Sequence, residues 1–408
     1  MFKLWEWVAK PSGVAAMHIV HLVTRLLRAG SEENTIETCR WQALAGHQVT
    51  VIHGHQVDPW WRDNPVSGVE LVALPQLIHP LNPAADLRAL RALRVLYRHL
   101  RPDVIHTHQS KAGILGRLAA SAVPDAVVAH GIHIVPFQGV SRAKRMIYIA
   151  AEKLAARRTD VFLGVSEAVG HAYVGAGIAR RGRVHCVRSG MDINRFSDPK
   201  PPLDWRRLLR LGSNDCRPPV ALMLAAFEPR KRHVPMLRAF AKMREKLPDL
   251  HLLLAGAGPE EQRVRDEVSV LGLGKQVTFC GYRTDPEALL ALADLSMLTS
   301  EREGLPRVVV QSLAAGCPAL VTRVPGIEEV LLDGINGVVM ARDDIIGLMR
   351  QCCGLLGDRA RLRQLRQGAL CTDVSAWDLA RLGRRSTALY GLPAQKSRVA
   401  QHLELALP

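Results

Sequence analysis

Apolar and polar positions along this chain fall into a repeating order from residue 17 to about residue 188. Short apolar runs at residues 18–23, 49–53, 69–74, 104–107, 127–129, 161–165 and 184–187 read as strands. Between them, residues 32–45, 84–100, 113–120, 142–158 and 167–174 carry the helical period. Strand–helix–strand repetition predicts a parallel, doubly wound sheet with helices on both faces. The order breaks at residues 197–219, where Pro199, Pro201, Pro202, Pro218 and Pro219 crowd together as in a linker. It restarts with strands at 220–226, 250–255, 277–280, 295–299 and 319–322, and helices at 236–247, 260–271, 286–292 and 307–315. The chain thus reads as α/β, two doubly wound domains facing a cleft that can close on a two-part substrate. Each domain should present its ligand edge at the carboxyl ends of its strands. The expected division is an extension at 1–16, a first domain at 17–196, the linker at 197–219 and a second domain at 220–372. A closing segment, 373–408, contributes a helix at 377–390 that packs back across the first domain, followed by a tail.

Composition adds limits. A length of 408 residues suits two cores of ~200 residues each, and 48% apolar content is enough to fill both. The eight cysteines are scattered with no C-x-x-C pair, which fits neither a zinc site nor a disulfide framework and implies a reducing, cytoplasmic setting. No apolar run approaches the ~20 residues that span a bilayer. Residues 1–16 are too short for a cleavable signal, and read as an interfacial segment or an upstream extension. The net charge of +16 calls for anionic partners. Nucleic acid is not expected, because no helix-turn-helix, zinc-finger or RNA-recognition signature accompanies the charge. Arg88, Arg91, Arg94, Arg98 and Arg101 recur at helical spacing among Leu87, Leu90, Leu93 and Leu100. Two readings stand: peripheral binding to the anionic inner face of the plasma membrane, or a solvated arginine face over a core stripe.

The segment from Ser300 to Leu320 carries the most chemistry. An apolar strand runs into the polar turn Ser300-Glu-Arg-Glu-Gly-Leu-Pro306, and Pro306 suits a helix start. That turn places Glu303 and the backbone amides of Gly304 and Leu305 where a helix dipole favours an anion such as a diphosphate. Glu303 can accept hydrogen bonds from sugar hydroxyls, and Gln311, two turns on, can bond neutral hydroxyls. A plain helix start with an acidic first turn is the competing explanation for this segment alone.

The segment has company. Glu303-Gly304-Leu305-Pro306, Ala314-Ala315-Gly316-Cys317-Pro318, Pro325-Gly326-Ile327-Glu328-Glu329 and Asp333-Gly334-Ile335-Asn336-Gly337 occur in order, after Leu254-Ala255-Gly256-Ala257-Gly258-Pro259 and Phe279-Cys280-Gly281-Tyr282-Arg283. Together they resemble the retaining glycosyltransferases of family 4, over about residues 17–340. The resemblance implies the GT-B architecture of two Rossmann-like domains. It also implies a nucleotide-sugar donor, with a UDP-sugar first among candidates, and Glu303 on the donor-sugar hydroxyls. Backbone at Tyr282 and Arg283 would pack near the base, with Gln311 near the ribose. The family usually has a second Glu where Gln311 stands; an amide still donates and accepts. Lys231 matches the family's diphosphate lysine, whereas Ala226 stands where an Arg is common, leaving Arg230 or Arg232 to supply a guanidinium. The sugar carboxylate and the phosphate cations are expected in separate places, so that changing Glu303 leaves nucleotide affinity nearly unaltered.

In the first domain, Arg28-Ala29-Gly30-Ser31 opens a helix after the first strand, and keeps one glycine of the family's pair for approach to the donor phosphates. His130-Gly131 matches the family's His-Gly pair, whose histidine lies beside the reacting sugar to position or polarise it. His106, His108 and Lys111 follow another strand; His108 and Lys111 are acceptor-side candidates, and the histidines can equally be structural. No carboxylate or thiol lies at ligand spacing from them and no D-x-D occurs, so neither a metal nor another cofactor is expected. Lys231, Gly30 and the Gly304–Leu305 amides would then stabilise the leaving diphosphate. The resemblance implies transfer with retention to a glycan or lipid-linked acceptor, in cell-surface polysaccharide or glycolipid synthesis. Alternatives are a nucleotide-sugar epimerase, a glycosyl phosphorylase, or a non-catalytic relative acting as a binding partner.

Overall fold

The computed structural model describes residues 15–246 and 248–391. Most of the expected N-terminal extension and the expected tail lie outside the described residues. The strands in chain order are β1 (His18–Leu26), β2 (Gln48–Val57), β3 (Val69–Ala73), β4 (Val104–His108), β5 (Val127–Ile132), β6 (Val161–Gly164), β7 (Val184–Cys186), β8 (Val220–Leu224), β9 (His251–Ala255), β10 (Val277–Gly281), β11 (Leu295–Leu298), β12 (Ala319–Thr322) and β13 (Gly337–Met340). The helices are α1 (Gly30–Leu44), α2 (Trp60–Asp63), α3 (Pro83–Leu100), α4 (Ser110–Ala119), α5 (Arg142–Ala156), α6 (Glu167–Gly175), α7 (Trp205–Leu208), α8 (His233–Met243), α9 (Glu261–Val270), α10 (Pro286–Leu292), α11 (Arg307–Ala314), α12 (Ile345–Gly357), α13 (Arg359–Leu370) and α14 (Leu379–Tyr390).

The chain divides into two compact units. One takes the described residues up to Met191 and those from Trp377 onward; the other is Asp192–Ala376. The first holds a sheet of order β3-β2-β1-β4-β5-β6-β7, the second a sheet of order β10-β9-β8-β11-β12-β13. All pairings are parallel. Each sheet is therefore doubly wound, with its order reversing between β1 and β4 or between β8 and β11. Strand β13 is a structural finding beyond the sequence pattern. Its four residues are too few to show a period, and it is defined by pairing with β12.

Parallel strands covered on both faces are apolar on both, as β9 and β12 are. In the first unit α14 closes one face. Its Leu382, Leu389 and Tyr390 join Ile19, Ala129 and Leu163 in one core cluster. Close approach to α1 depends on Gly383, because a Cβ there would fall 2.3 Å from the Trp41 ring. Gln42 of α1 donates from Nε2 to Tyr390 Oη at 3.1 Å and Thr387 Oγ1 at 3.3 Å.

The opposite face buries an ion pair. Arg117 of α4 donates to Glu152 Oε2 of α5 at 2.6 Å and to the Gly113 carbonyl at 2.7 Å, with both side chains removed from solvent. Removing one partner strands a charge in the core, whereas replacing both with apolar groups removes the desolvation penalty along with the attraction. Arg117→Met should therefore lower stability by ~3–5 kcal/mol, and Arg117→Met with Glu152→Leu should recover most of that loss. Urea unfolding midpoints check this; equal losses in the single and double variants would show that the charges are not a coupled unit.

Candidate active site

At the end of β11 the chain continues through Thr299 and Ser300 to Glu303, and Pro306 with extended backbone precedes the first turn of α11. At the end of the neighbouring β8 it continues to Glu228 and a single 3-10 turn, Pro229–Lys231. Arg232 then takes a left-handed conformation, φ 58°, before α8 begins. Two bonds hold the loops together: Glu301 N–H to the Arg230 carbonyl at 2.7 Å, and Thr299 Oγ1 to the Lys231 carbonyl at 2.8 Å. A third links the Arg230 guanidinium to the Arg302 carbonyl at 3.2 Å.

This turn separates Arg230 from Arg232. On a regular element adjacent side chains diverge. Here both Arg230 and Lys231 reach Oε1 of Glu303, Arg230 at 3.0 Å and Lys231 as the second donor to the same oxygen. Arg230 is also held by Glu228 Oε2 at 2.7 Å. Arg232 turns away to Asp343 at 2.8 Å and the Arg342 carbonyl. The expectation that the carboxylate and the phosphate-type cations stand apart is thereby corrected: they form one cluster.

Burial opposes charge on each member. It raises the Glu303 carboxyl, but Lys231 and Arg230 outweigh it and hold the group below the ordinary carboxylate value. Burial lowers the Lys231 ammonium, partly offset by Glu303, and the net shift is downward. For Arg230 burial acts downward first, yet Glu303 and Glu228 together raise it. The cluster thus has two positive side chains already desolvated and oriented.

The glycine loop after β9 supports it from below. Gly256 has φ 150°, and a Cβ there would fall 2.1 Å from the Ala225 carbonyl; one on Gly258 would fall 2.5 Å from that of Phe227. Only a chain without side chains at these positions can lie against residues 225–227, the approach to Arg230 and Lys231. Gly304 and Leu305 are buried in the turn before α11, and Gln311 is half-buried on that helix. Tyr282 follows β10 and is exposed, while the guanidinium of Arg283 is held bidentately by Asp285 at 2.6 and 2.7 Å.

In the first unit Gly30 is exposed at the start of α1. His130 lies inside: its Nδ1 meets Thr107 Oγ1 at 3.0 Å, and its ring is T-shaped to Phe162. Burial, then the positive charge of Arg117, pushes its pKa well below the ordinary histidine value. Lys111 is tied to Asp86 at 2.7 Å. His108 is buried and bonds His21 and His133, each at 3.0 Å, while His106 bonds Tyr390 Oη at 2.8 Å. His21 and His133 were not singled out in the sequence. His133 carries a readable signal, standing three residues after His130 and just beyond the end of β5; His21 sits mid-strand with none.

Residues 212–369 match the family described as "Glycosyl transferases group 1", and residues 29–190 the "Glycosyl transferase 4-like domain". EpsD of Bacillus subtilis (strain 168), whose name assigns it provisionally to the glycosyltransferases, is 28% identical over 73% of this chain and 81% of its own length. The UDP-Gal:alpha-D-GlcNAc-diphosphoundecaprenol alpha-1,3-galactosyltransferase of Escherichia coli is 24% identical over 67% and 71%. Among solved structures, Anabaena HepE in complex with UDP and glucose superposes with a TM-score of 0.76 at 18% identity, covering 92% of this chain and all of that one. Sucrose-phosphate synthase of Thermosynechococcus elongatus superposes with a TM-score of 0.72 at 19% identity, covering 96% and all of that chain. These relatives do not favour an epimerase or a non-catalytic binding protein. With both family matches in sequence order and two doubly wound sheets of the same topology, the chain belongs to the family 4 type of GT-B glycosyltransferases and is a sugar-transferring enzyme.

Proposed function

We propose that this enzyme moves a sugar from a UDP-sugar to a glycan or lipid-linked acceptor with retention of anomeric configuration, in cell-surface polysaccharide or glycolipid synthesis. The observation that carries the reading is the convergence of Lys231 and Arg230 on Glu303 at the end of β11. In the resting protein Glu303 bonds both cations, and Glu228 pairs with Arg230 from its other side. When a donor binds, its diphosphate takes over Lys231 and Arg230, assisted by the Gly304 and Leu305 amides. The carboxylate is then released to the sugar hydroxyls. The anomeric carbon–phosphate bond breaks as the acceptor oxygen bonds to that carbon on the same face, and the leaving phosphate takes the acceptor proton. Fixed cations stabilise the growing negative charge without reorganising. We assign the base to the Tyr282–Arg283 backbone, the ribose to Gln311 and the acceptor to the first unit near Lys111; His108, expected there, is buried against His21 and His133 instead. His130 acts as a positioning residue. The diphosphoundecaprenol acceptor and UDP-galactose donor in the name of the E. coli relative, and UDP with glucose in HepE, support this class of donor and acceptor.

We also place the enzyme peripherally on an anionic membrane, at the inner face of the plasma membrane. No helix among the described residues is long and apolar enough to cross a bilayer. On α3, Arg88, Arg91 and Arg98 are exposed beside Leu87 and Val95; on α5, Met146, Ile147 and Leu154 are exposed beside Lys144, Arg145 and Lys153. Cations interleaved with uncovered apolar side chains suit an anionic interface better than a purely solvated face.

Incubation with UDP-, GDP- and ADP-sugars and a polyprenyl-diphosphate-linked sugar, with mass and anomeric analysis of the product, tests the reaction. Nucleotide release without a new glycoside, or an inverted anomer, would count against it. Lys231→Ala should cut turnover by at least ~100-fold, as for loss of one preorganised contact; near-normal turnover in a folded variant would refute its role.

Glu303→Ala should lose transfer to a similar degree, ~100-fold or more, while binding UDP more tightly, because two desolvated cations lose their protein anion. Calorimetry showing weaker UDP binding would place the nucleotide elsewhere. The Glu303 carboxyl is depressed from its ordinary 4.5, so its ionised form persists above that value and is lost only as pH falls through the lower folded one. Transfer should show no acid limb from Glu303 above about pH 5; a limb there that vanishes in Glu303→Gln would contradict the assignment.

For the membrane, flotation with anionic but not neutral vesicles should weaken with salt, and be reduced by Arg88→Glu with Arg91→Glu; no flotation at low salt would leave the surface merely solvated.

A further inference from the structure

Four histidines meet inside the first unit, His21 within β1, His106 and His108 on β4, and His133 just beyond β5. His21 pairs directly across from His106, and His108 follows two positions on, so all three project from the same face of the sheet. They are 0%, 3% and 3% exposed, and one ring nitrogen from each lies within 4.8 Å of the others. The His106 and His108 ring centroids are 4.1 Å apart, and those of His21 and His106 5.0 Å.

The outer nitrogen of every ring already has a partner. His21 Nε2 bonds Gln42 Oε1 at 2.8 Å, His106 Nδ1 bonds Tyr390 Oη at 2.8 Å, and His108 Nδ1 bonds His133 Nε2 at 3.0 Å. The inner nitrogens are left to one another. His21 Nδ1 and His108 Nε2 stand 3.0 Å apart, and His106 Nε2 is a buried polar atom with no hydrogen-bond partner. Such an atom is costly if nothing satisfies it. Gly131 keeps the space open: a Cβ there would fall 2.8 Å from His108 Nδ1 and 3.2 Å from His106 Nε2.

We infer that His21 Nδ1, His106 Nε2 and His108 Nε2 form a binding site for one divalent transition-metal ion, with Gln42, Tyr390 and His133 as outer partners. Outer partners that fix each imidazole's orientation and tautomer are the arrangement metal-binding histidines use. Three neutral imidazoles without a carboxylate select zinc-like or later first-row ions over magnesium or calcium. The ligands come from β1 and β4, and their partners from α1, α14 and the segment after β5. An ion here ties together the inner strands of the sheet and the helices that cover them. The site is structural and separate from the Glu303 cluster, so its test does not depend on sugar transfer.

The test uses full-length protein without a histidine tag, stripped with chelator and titrated with Zn2+ or Co2+. One equivalent should bind, the thermal midpoint should rise, and Co2+ should give the visible absorption of a low-coordinate nitrogen site; Mg2+ should do none of these. His106→Asn and Gly131→Ala should each weaken Zn2+ uptake at least ~10-fold, the usual lower effect of disturbing a ligand or its support, while His99→Ala on the surface should not. X-ray absorption of zinc-loaded wild-type protein needs no variant and should show three imidazoles. Absence of stoichiometric uptake at micromolar zinc, uptake unchanged in a folded His106→Asn protein, or a shell with fewer than three imidazoles would each overturn the assignment.

Discussion

A parallel sheet covered on both faces satisfies its backbone only between neighbouring strands, and its side chains have only the core to enter. Polar chemistry that a ligand can reach is then concentrated at the strand ends, where the chain leaves the sheet. It concentrates further where the strand order reverses, because loops from two adjacent strands diverge there and leave a crevice. In the second unit that point lies between β8 and β11. Lys231 and Arg230 follow the first and Glu303 follows the second, so their meeting is a consequence of topology. In the first unit the reversal lies between β1 and β4, and Gly30, His21, His106 and His108 gather on the same two strands or the turns that leave them.

Two buried ion clusters show how similar chemistry serves different ends. Arg117 and Glu152 are 0% and 1% exposed, pair one to one and lie between two helices, where nothing else can approach. Their consequence is structural. Lys231 and Glu303 are each 11% exposed, and two cations share one carboxylate oxygen. Glu228 balances Arg230 from the other side, and the positive groups converge from an irregular turn that is only partly buried. The cost of desolvating these charges is met on folding, which leaves the cations held in place before any ligand arrives.

Strand alternation sorts the histidines of the first unit. Successive residues point to opposite faces. His130 therefore enters the α4 side beside Thr107 and Arg117, while Gly131 opens the other side to His106 and His108. A glycine at that position is what allows several imidazoles to stack beneath α14. Both His-rich segments thus lie deeper than their position near strand ends suggests.

The sequence alone determined the class of fold, the two sheets, most strands to within a few residues, and that Glu303 follows one strand and Lys231 another. Those features rest on local periodicity, on turn chemistry and on a run of motifs, all readable without knowing which strands pair. Strand β13 was not legible, being four residues whose pattern means nothing until β12 is beside it. That Arg230 reaches Glu303 while Arg232 turns to Asp343 was not legible either, because it depends on a 3-10 turn followed by one left-handed residue. Nor was the joining of Glu303 to its two cations, 72 and 73 residues away along the chain. The histidine cluster brings His21 to His108 across 87 residues. Tertiary structure decided these, since side chains so far apart meet only when strand order and register place them together, and no local pattern encodes register between strands that are not neighbours in sequence.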